Sequence, residues 1–375
     1  MVRWFSYTGL LMNNSLNDIN VLDLFCGCGG LSLGFQRAGF NIVAGIDSWQ
    51  DALITHKKNL PSAKGICADL FTITPEEVKS KYGIDNIDVI IGGPPCQGFS
   101  IAGKRIVDDK RNKLYKSFVN FVRFYRPRAF VMENVPNLLS LAGGIVRDAI
   151  IDDFTSLGYK VIYKILTASD YGTPQNRRRV FFVGLREATK QYEFPKPTFG
   201  IEKQPFVSCH DAISDLDFIG DTDVLPECTE YALPPQSDYQ KRMREGAQHL
   251  LNHVVTIHTE QTRKIIAMVP DGGNYKNLPQ ELWNTRKVHI AWTRMRSDKP
   301  CFTIDCGHNH HFHYSANRVP TVREAARIQS FPDTFEIIGI KTSQLKQVGN
   351  AVPPLLAEAV AKALHKILIL EKTNV

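Results

Sequence analysis

Between residues 21 and 186, short apolar segments alternate with capped helical ones, and that alternation constrains the fold more than anything else in the chain. Residues 21–24 read as a buried strand and 29–38 as a helix closed by Gly39. A strand over 41–46 leads to a helix with Ser48 as its N-cap. Thr74-Pro75-Glu76-Glu77 starts another helix, with proline in its favoured first position. Strands recur over 88–92, 129–132, 159–166 and 180–185. Such a chain builds a mostly parallel sheet covered by helices on both faces.

The pattern breaks near Pro195-Lys196-Pro197. Prolines, glycines and short apolar pieces continue to about residue 317, where helical signals return with the capping box Thr321-Val-Arg-Glu324 and a long apolar helix over 353–370. This predicts a first catalytic part over 18–192, a smaller irregular domain over 193–317, and a return to the first domain over 318–372. Residues 195–240 carry two basic against nine acidic side chains, whereas 241–319 carry twelve against six, so only the second half suits a polyanion. The chain's net charge of +7 points the same way. No apolar run reaches the ~20 residues of a membrane span, and the first twelve residues lack the features of a signal peptide. The eight cysteines form no Cys-x-x-Cys pair, which fits reduced thiols in the cytoplasm. Cys301 and Cys306 beside His308, His310, His311 and His313 offer zinc-type ligands, but their spacing matches no common closed site and no metal is expected.

Two segments carry chemistry. In Asp88-Val-Ile-Ile-Gly-Gly-Pro-Pro-Cys-Gln-Gly-Phe-Ser100 a strand runs into Pro94-Pro95, whose fixed geometry sets the angle at which Cys96 emerges. Gly92 and Gly93 leave space for a flat substrate. In Val21-Leu-Asp-Leu-Phe-Cys-Gly-Cys-Gly-Gly30 a strand passes through a glycine turn into a helix, which lets backbone approach a ligand. A dinucleotide fingerprint starting at Gly27 fails, because its last position is Ser32. Asp47 and Asp69 follow the next two strands, placed to accept ribose hydroxyls and an adenine amino group.

With Cys96 included, the ordered motifs resemble those of the cytosine-C5 DNA methyltransferases. Phe25-Cys-Gly-Cys-Gly-Gly30 is similar to their S-adenosylmethionine loop, with Cys26 where alanine is usual, and Gly93-Pro-Pro-Cys96-Gln-Gly-Phe-Ser100 to their nucleophile loop. Glu133-Asn-Val135, Gln175-Asn-Arg-Arg-Arg179, the run 323–333 and Gln347-Val-Gly-Asn-Ala-Val-Pro-Pro354 follow in the family's order. The resemblance implies a Rossmann-like α/β sheet dependent on S-adenosylmethionine, with 193–317 as target-recognition domain. Asp23, Phe25, Gly27, Gly29, Gly30, Leu31, Asp47, Ser48, Asp69, Leu70, Pro94, Asn350, Ala351 and Val352 would then hold the cofactor.

Carbon 5 of cytosine is too weak a nucleophile to take a methyl group unaided, and a thiolate adding at C6 activates it. Cys96 is the candidate thiol, and Arg177 or Arg179 could lower its pKa or grip the base. Glu133 is expected to meet N3, with a raised pKa as the condition for donating a proton. A base within a duplex must swing out first. Ser100, Lys104 and Arg105 would contact the DNA from a closing loop, and Arg294 and Arg296 from the basic half of the second domain. The implied partner is double-stranded DNA, read by a monomer of the restriction-modification type in the prokaryotic cytoplasm. A cognate restriction endonuclease would act on the same site without a stable complex. A tRNA cytosine-C5 methyltransferase is the alternative, since Cys301-Phe302-Thr303 resembles a tripeptide of that branch.

Overall fold

The structure, a computed structural model, describes residues 19–95, 101–102, 105–106, 113–187, 191–223, 226–283, 292–306 and 311–372. Cys96, Ser100, Lys104, Arg286, Lys287, His308 and His310 lie outside the described residues, as does the side chain of Arg105.

The first part runs β1 (Asn20–Leu24), α1 (Gly30–Arg37), β2 (Asn41–Asp47), α2 (Gln50–Asn59), β3 (Lys64–Cys67), α3 (Pro75–Tyr82) and β4 (Val89–Gly92). A two-residue hairpin pair, β5 (Ile101–Ala102) and β6 (Arg105–Ile106), precedes α4 (Lys113–Tyr125), β7 (Ala129–Asn134), α5 (Ile145–Ser156), β8 (Tyr159–Thr167) and β9 (Arg178–Arg186). Seven strands form one sheet in the order β3-β2-β1-β4-β7-β9-β8. All neighbours from β3 to β7 are parallel, and β9 runs antiparallel to both β7 and β8.

Each strand feeds both faces because successive side chains alternate. Val21, Val89, Ile91, Val131 and Phe181 point to one core, shared with α1 and the last helix. Leu22, Leu24, Ile90, Phe130, Met132 and Phe182 point to the other, covered by Val78 of α3, Phe118 and Val122 of α4, and Ile150 and Phe154 of α5. The chain leaves β1 toward β2 and β3 and then crosses back to β4. The ends of β1 and β4 therefore open a crevice at the switch in strand order, where such sheets bind ligands.

The remainder holds α6 (Cys209–Ile213), β10 (Cys228–Thr229), α7 (Asp238–Arg244), β11 (Leu250–Leu251), α8 (Glu260–Ala267), β12 (Thr293–Arg294), β13 (His311–Phe312), α9 (Val322–Ile328), α10 (Lys341–Asn350) and α11 (Pro354–Lys372). Leu216, Met243, Leu250 and Met295 share a core with Ile328, Phe331 and Val348, so much of the irregular region packs directly on α9 and α10. A small separate core of Ile266, Val269, Leu278, Trp292, Phe312 and Val319 supports the segment around α8. Thr74 and Thr321 form the expected capping boxes with Glu77 and Glu324. Ser48 does not cap α2: the helix starts one residue later, with Trp49 as N-cap and no side-chain bond, while Asp47 Oδ1 accepts the Trp49 N–H.

Candidate active site

The catalytic edge is made where β4 and β7 end side by side, with Gly92 opposite Met132. Beyond that pair the chain continues as Gly93-Pro94 on one strand and Glu133-Asn134 on the other. Asn134 Nδ2 donates to the Pro94 carbonyl at 2.8 Å, so the segment leading to Cys96 is tied to the strand that carries Glu133. A Cβ on Gly93 would lie 2.9 Å from Glu133 Oε2, so glycine here leaves the Glu133 carboxyl room where it stands.

Glu133 is nearly buried, and Arg179, at the start of the antiparallel neighbour β9, reaches it from the other side with Nε 2.7 Å from Oε1. Burial pushes the Glu133 carboxyl above its ordinary pKa, although Arg179 and Arg177 both pull it down. Arg177 is more deeply buried and serves the scaffold as well: it donates to the carbonyls of Ile304 at 2.9 Å and Gly349 at 2.8 Å. Burial, with Arg179 beside it, lowers its pKa to about 9. Among the described residues its Nε has no hydrogen-bond partner. Glu133, Arg177 and Arg179 thus share one pocket beside Pro94.

Amides that the sequence did not single out brace this pocket. Gln175 Nε2 donates to Gln329 Oε1 at 2.5 Å, and Gln329 Nε2 in turn donates to the Val348 and Ala351 carbonyls at 3.0 and 2.7 Å. Gln175 Oε1 accepts the Ile304 N–H at 3.0 Å. The arginine segment, α9 and the Asn350 turn are thereby locked together. All three lie within the resembling motifs, but their role is visible only once the segments meet in space.

The cofactor candidates surround the end of β1. Phe25 and Gly27 have positive φ values of 60° and 53°, and Gly29 lies at 100°, so the turn wraps its backbone around open space at Gly27. Asp47 Oδ2 accepts the Gly27 N–H at 2.8 Å, fixing the turn against the end of β2. Asp69 is exposed two residues past β3, and its Oδ1 accepts the Phe71 N–H at 2.9 Å. Asp23 is fully buried beneath the turn, where Oδ2 lies 2.5 Å from the Ser32 hydroxyl while Oδ1 has no hydrogen-bond partner among the described residues. Burial raises the Asp23 pKa to about 8. His56 Nε2 lies 3.2 Å from the same hydroxyl. Gly30 packs on the Val352 carbonyl and Ala351 Cβ, which brings the Asn350 turn to the same edge. Leu31 and Leu70 are buried in the two sheet cores, Ser48 is exposed, and the Asn350 side chain accepts from the Cys306 thiol at 2.7 Å. An orphaned buried carboxylate, an open glycine cradle and two strand-end aspartates fit an adenosyl cofactor.

Arg294, expected at the DNA surface, is instead buried, and its guanidinium is consumed by the carbonyls of Val269, Ile266, His313 and Ala316 and by Asn317 Oδ1. It is the polar centre of the small core around α8. Arg296 is exposed and held by Asp298 at 2.5 Å. Among the described residues no group of three or more His, Cys, Asp or Glu side chains is arranged to hold a metal, and no helix is long and apolar enough to cross a membrane.

Residues 19–366 match the family of C-5 cytosine-specific DNA methylases. The chain is 39% identical over 370 residues to the Type II methyltransferase M.DdeI of Desulfomicrobium norvegicum, covering 92% of this chain and 88% of that one. It is 36% identical over 354 residues to the Type II methyltransferase M1.HphI of Haemophilus parahaemolyticus, covering 93% and 87%. A crystal structure assigned as a DNA modification methyltransferase from an E. coli prophage superposes with a TM-score of 0.78 at 29% identity, covering 94% of this chain and all of that one.

Proposed function

Because the chain belongs to the C-5 cytosine-specific DNA methylase family and is a DNA cytosine-C5 methyltransferase of the restriction-modification type, we propose that it methylates one cytosine, swung out of the duplex, within a specific sequence. S-adenosylmethionine, when bound, supplies the electrophilic methyl group. Asp23, Asp47, Asp69 and the backbone of Phe25–Gly30, with the Asn350 turn, hold it at the β1 edge.

Cys96 is the nucleophile in this reading. Its thiolate forms a bond to C6, and the displaced electron pair moves toward N3, where Glu133 delivers a proton. C5 of the enamine so formed would take the methyl group as the sulfonium carbon–sulfur bond breaks and the thioether product leaves. Loss of the C5 proton to solvent then restores the C5–C6 double bond as the C6–S bond breaks and the thiolate departs, and N3 returns its proton to Glu133. Arg179 orients Glu133, and Arg177 holds the pocket wall and offers its free Nε to the base. The loop bearing Ser100, Lys104 and Arg105 closes on the DNA backbone, with Arg296 contributing from the second domain, 193–317. The protein acts as a monomer in the prokaryotic cytoplasm, and a cognate endonuclease reads the same sequence without binding it stably.

The contact of Glu133 with Gly93, three residues before Cys96, carries this reading, since it sets acid and nucleophile loop at one sheet edge. Bisulfite sequencing of DNA from cells expressing the chain should return one methylated sequence, absent with Cys96→Ala. Duplex DNA containing 5-fluorocytosine should trap a covalent adduct on Cys96, while tRNA should take no label. An adduct on another cysteine, or none, would refute the assignment.

A further inference from the structure

We propose that His56, acting through Ser32, is a positioning residue for Asp23, and that this buried chain senses the positive charge of the methyl donor. The protein thereby holds a sulfonium cofactor more tightly than the uncharged thioether left after transfer. The assignment rests on the cofactor reading above.

The imidazole occupies a slot between the glycine turn and β2. A Cβ on Gly29 would lie 3.0 Å from His56 Cδ2, and one on Gly45 would lie 2.7 Å from Nε2, so these two glycines leave the ring its room. The ring is fully buried, with Nε2 3.2 Å from Ser32 Oγ, which in turn lies 2.5 Å from Asp23 Oδ2. Among the described residues His56 Nδ1 and Asp23 Oδ1, the outer ends of the chain, have no hydrogen-bond partner. The three side chains come from α2, α1 and β1, the elements that meet at the turn.

A hydroxyl has one hydrogen, so Ser32 can donate to only one neighbour and the chain has two polarities. A protonated Asp23 can donate to Ser32, which then donates to His56 Nε2, with the ring hydrogen on Nδ1. An ionised Asp23 only accepts, so Ser32 donates to it and receives the Nε2–H of His56. Only the second arrangement is open to the carboxylate, and a change of charge on Asp23 is passed to the histidine as a change of tautomer. Burial lowers the His56 pKa to about 4, so the ring stays neutral and serves either polarity. Burial, reinforced by Asp47 at the end of β2, favours the protonated Asp23 when no cation is near. Ser32 and the Cys26 thiol, which burial keeps protonated, also face Asp23, and its strand neighbours Gly45 and Ile91 carry no charge.

Strand order places the cation. Asp47 and Asp69, the acceptors for the adenosine half, stand at the ends of β2 and β3, whereas the cytosine meets Glu133 at the β4–β7 edge. The sulfonium joins the adenosine to the transferred methyl group, so it lies between them, over β1 and β4, and β1 carries Asp23. Neighbouring strands are only ~4.8 Å apart. A positive charge at that distance, in a site from which water is excluded, favours the carboxylate. Asp23 gives up its proton to solvent as the sulfonium binds, and takes one back once methyl transfer has left a neutral thioether.

The test uses the full chain with S-adenosylhomocysteine and with sinefungin, in which a carbon bearing an ammonium replaces the methylsulfonium. Nitrogen NMR with isotope-labelled histidine, His56 being assigned by its loss in His56→Gln, should show Nδ1–H in the free protein and with S-adenosylhomocysteine near neutral pH. Sinefungin should shift it to Nε2–H. Calorimetry in buffers of different ionisation enthalpy should find more proton release with sinefungin than with S-adenosylhomocysteine. His56→Phe should weaken sinefungin about tenfold more than S-adenosylhomocysteine, the scale of a hydrogen bond to a charged group. His56→Gln, whose amide can donate or accept, should restore most of that difference. One tautomer throughout, equal proton release, or equal weakening of both ligands by His56→Phe would overturn the assignment. The first two readings are made on wild-type protein and decide the matter if His56→Phe does not fold. Wild-type protein that binds neither ligand would instead defeat the cofactor reading itself, and this assignment with it.

Discussion

Burial and two arginines act on the Glu133 carboxyl in opposite directions, and burial prevails. The protonated form is thus favoured where a proton must be donated, and Arg179 supplies orientation and keeps the group responsive. Only the protonated acid can serve N3, so the turnover rate should fall as pH rises through the raised Glu133 pKa. Glu133→Gln should lower kcat by roughly 10²–10⁴-fold and abolish that alkaline fall. Single-turnover rates across pH on wild type and variant check both. A variant retaining near-normal turnover would remove Glu133 from the chemistry. At this scale the proposed residues stood out in sequence because their chemistry is local: a thiol after two prolines, and an acid at the end of a strand, where the structure has Glu133. Arg294 was not, since a guanidinium bound to four interior carbonyls reads in sequence like any basic surface residue.

At the scale of elements, α1 and α11 show how the cofactor edge is held in place. Gly34 faces α11 so closely that a Cβ there would lie 2.7 Å from the Glu358 nitrogen and closer still to Ala357 Cβ. Those atoms are helix backbone and a methyl group, which cannot swing aside. Gly34→Val should therefore destabilise the protein by about 1–3 kcal/mol through overpacking. It should also weaken cofactor binding, because α11 follows directly on the 350–352 turn that packs on Gly30. Denaturant unfolding and cofactor titration would measure the two effects, and an unchanged midpoint would contradict the close packing. The helices themselves were readable from caps and apolar spacing, as at Thr74 and Thr321. Ser48 misled because a serine at a strand end looks like a cap, whereas α2 starts one residue later and the cap position falls on Trp49. The antiparallel placement of β9 was likewise hidden, since strand direction depends on the return path and not on the strand's own residues.

Across the whole molecule, three aspartates of the acidic half, Asp215, Asp217 and Asp221, are spent on partners within the protein. Asp215 and Asp333 both bind Arg327, each through a contact of 2.6 Å, and all three side chains are buried. Asp217 accepts from Tyr314 and lies 3.1 Å from His313 Nε2, while Asp221 accepts the Asn317 N–H at 2.7 Å. The charge asymmetry was plain in sequence, but these pairings were not, because partners such as Asp215 and Arg327 are more than a hundred residues apart. Arg327 therefore ties α6 to α9, and through α9 joins the irregular region to the catalytic scaffold. Arg327→Met would remove the guanidinium that two buried carboxylates share, leaving Asp215 to Arg244 and Asp333 to Tyr231 and a longer contact with Arg323, at an expected cost of about 3 kcal/mol. At about 2.1 cal/mol/K of unfolding entropy per residue over 375 residues, that corresponds to a fall in Tm of about 4 °C. The pH dependence gives the sharper test. In the wild type, Arg327 holds the Asp333 pKa below its ordinary value despite burial, so this contribution is present above the unfolded-state pKa and is lost as pH falls through the native one. In the variant the Arg327 share of that stabilisation is gone, and protonating the under-compensated carboxylates relieves the folded state. The gap in Tm between the two proteins should accordingly be widest near neutral pH and narrow toward pH 4, and a constant gap would show that packing, not charge, is what Arg327 supplies.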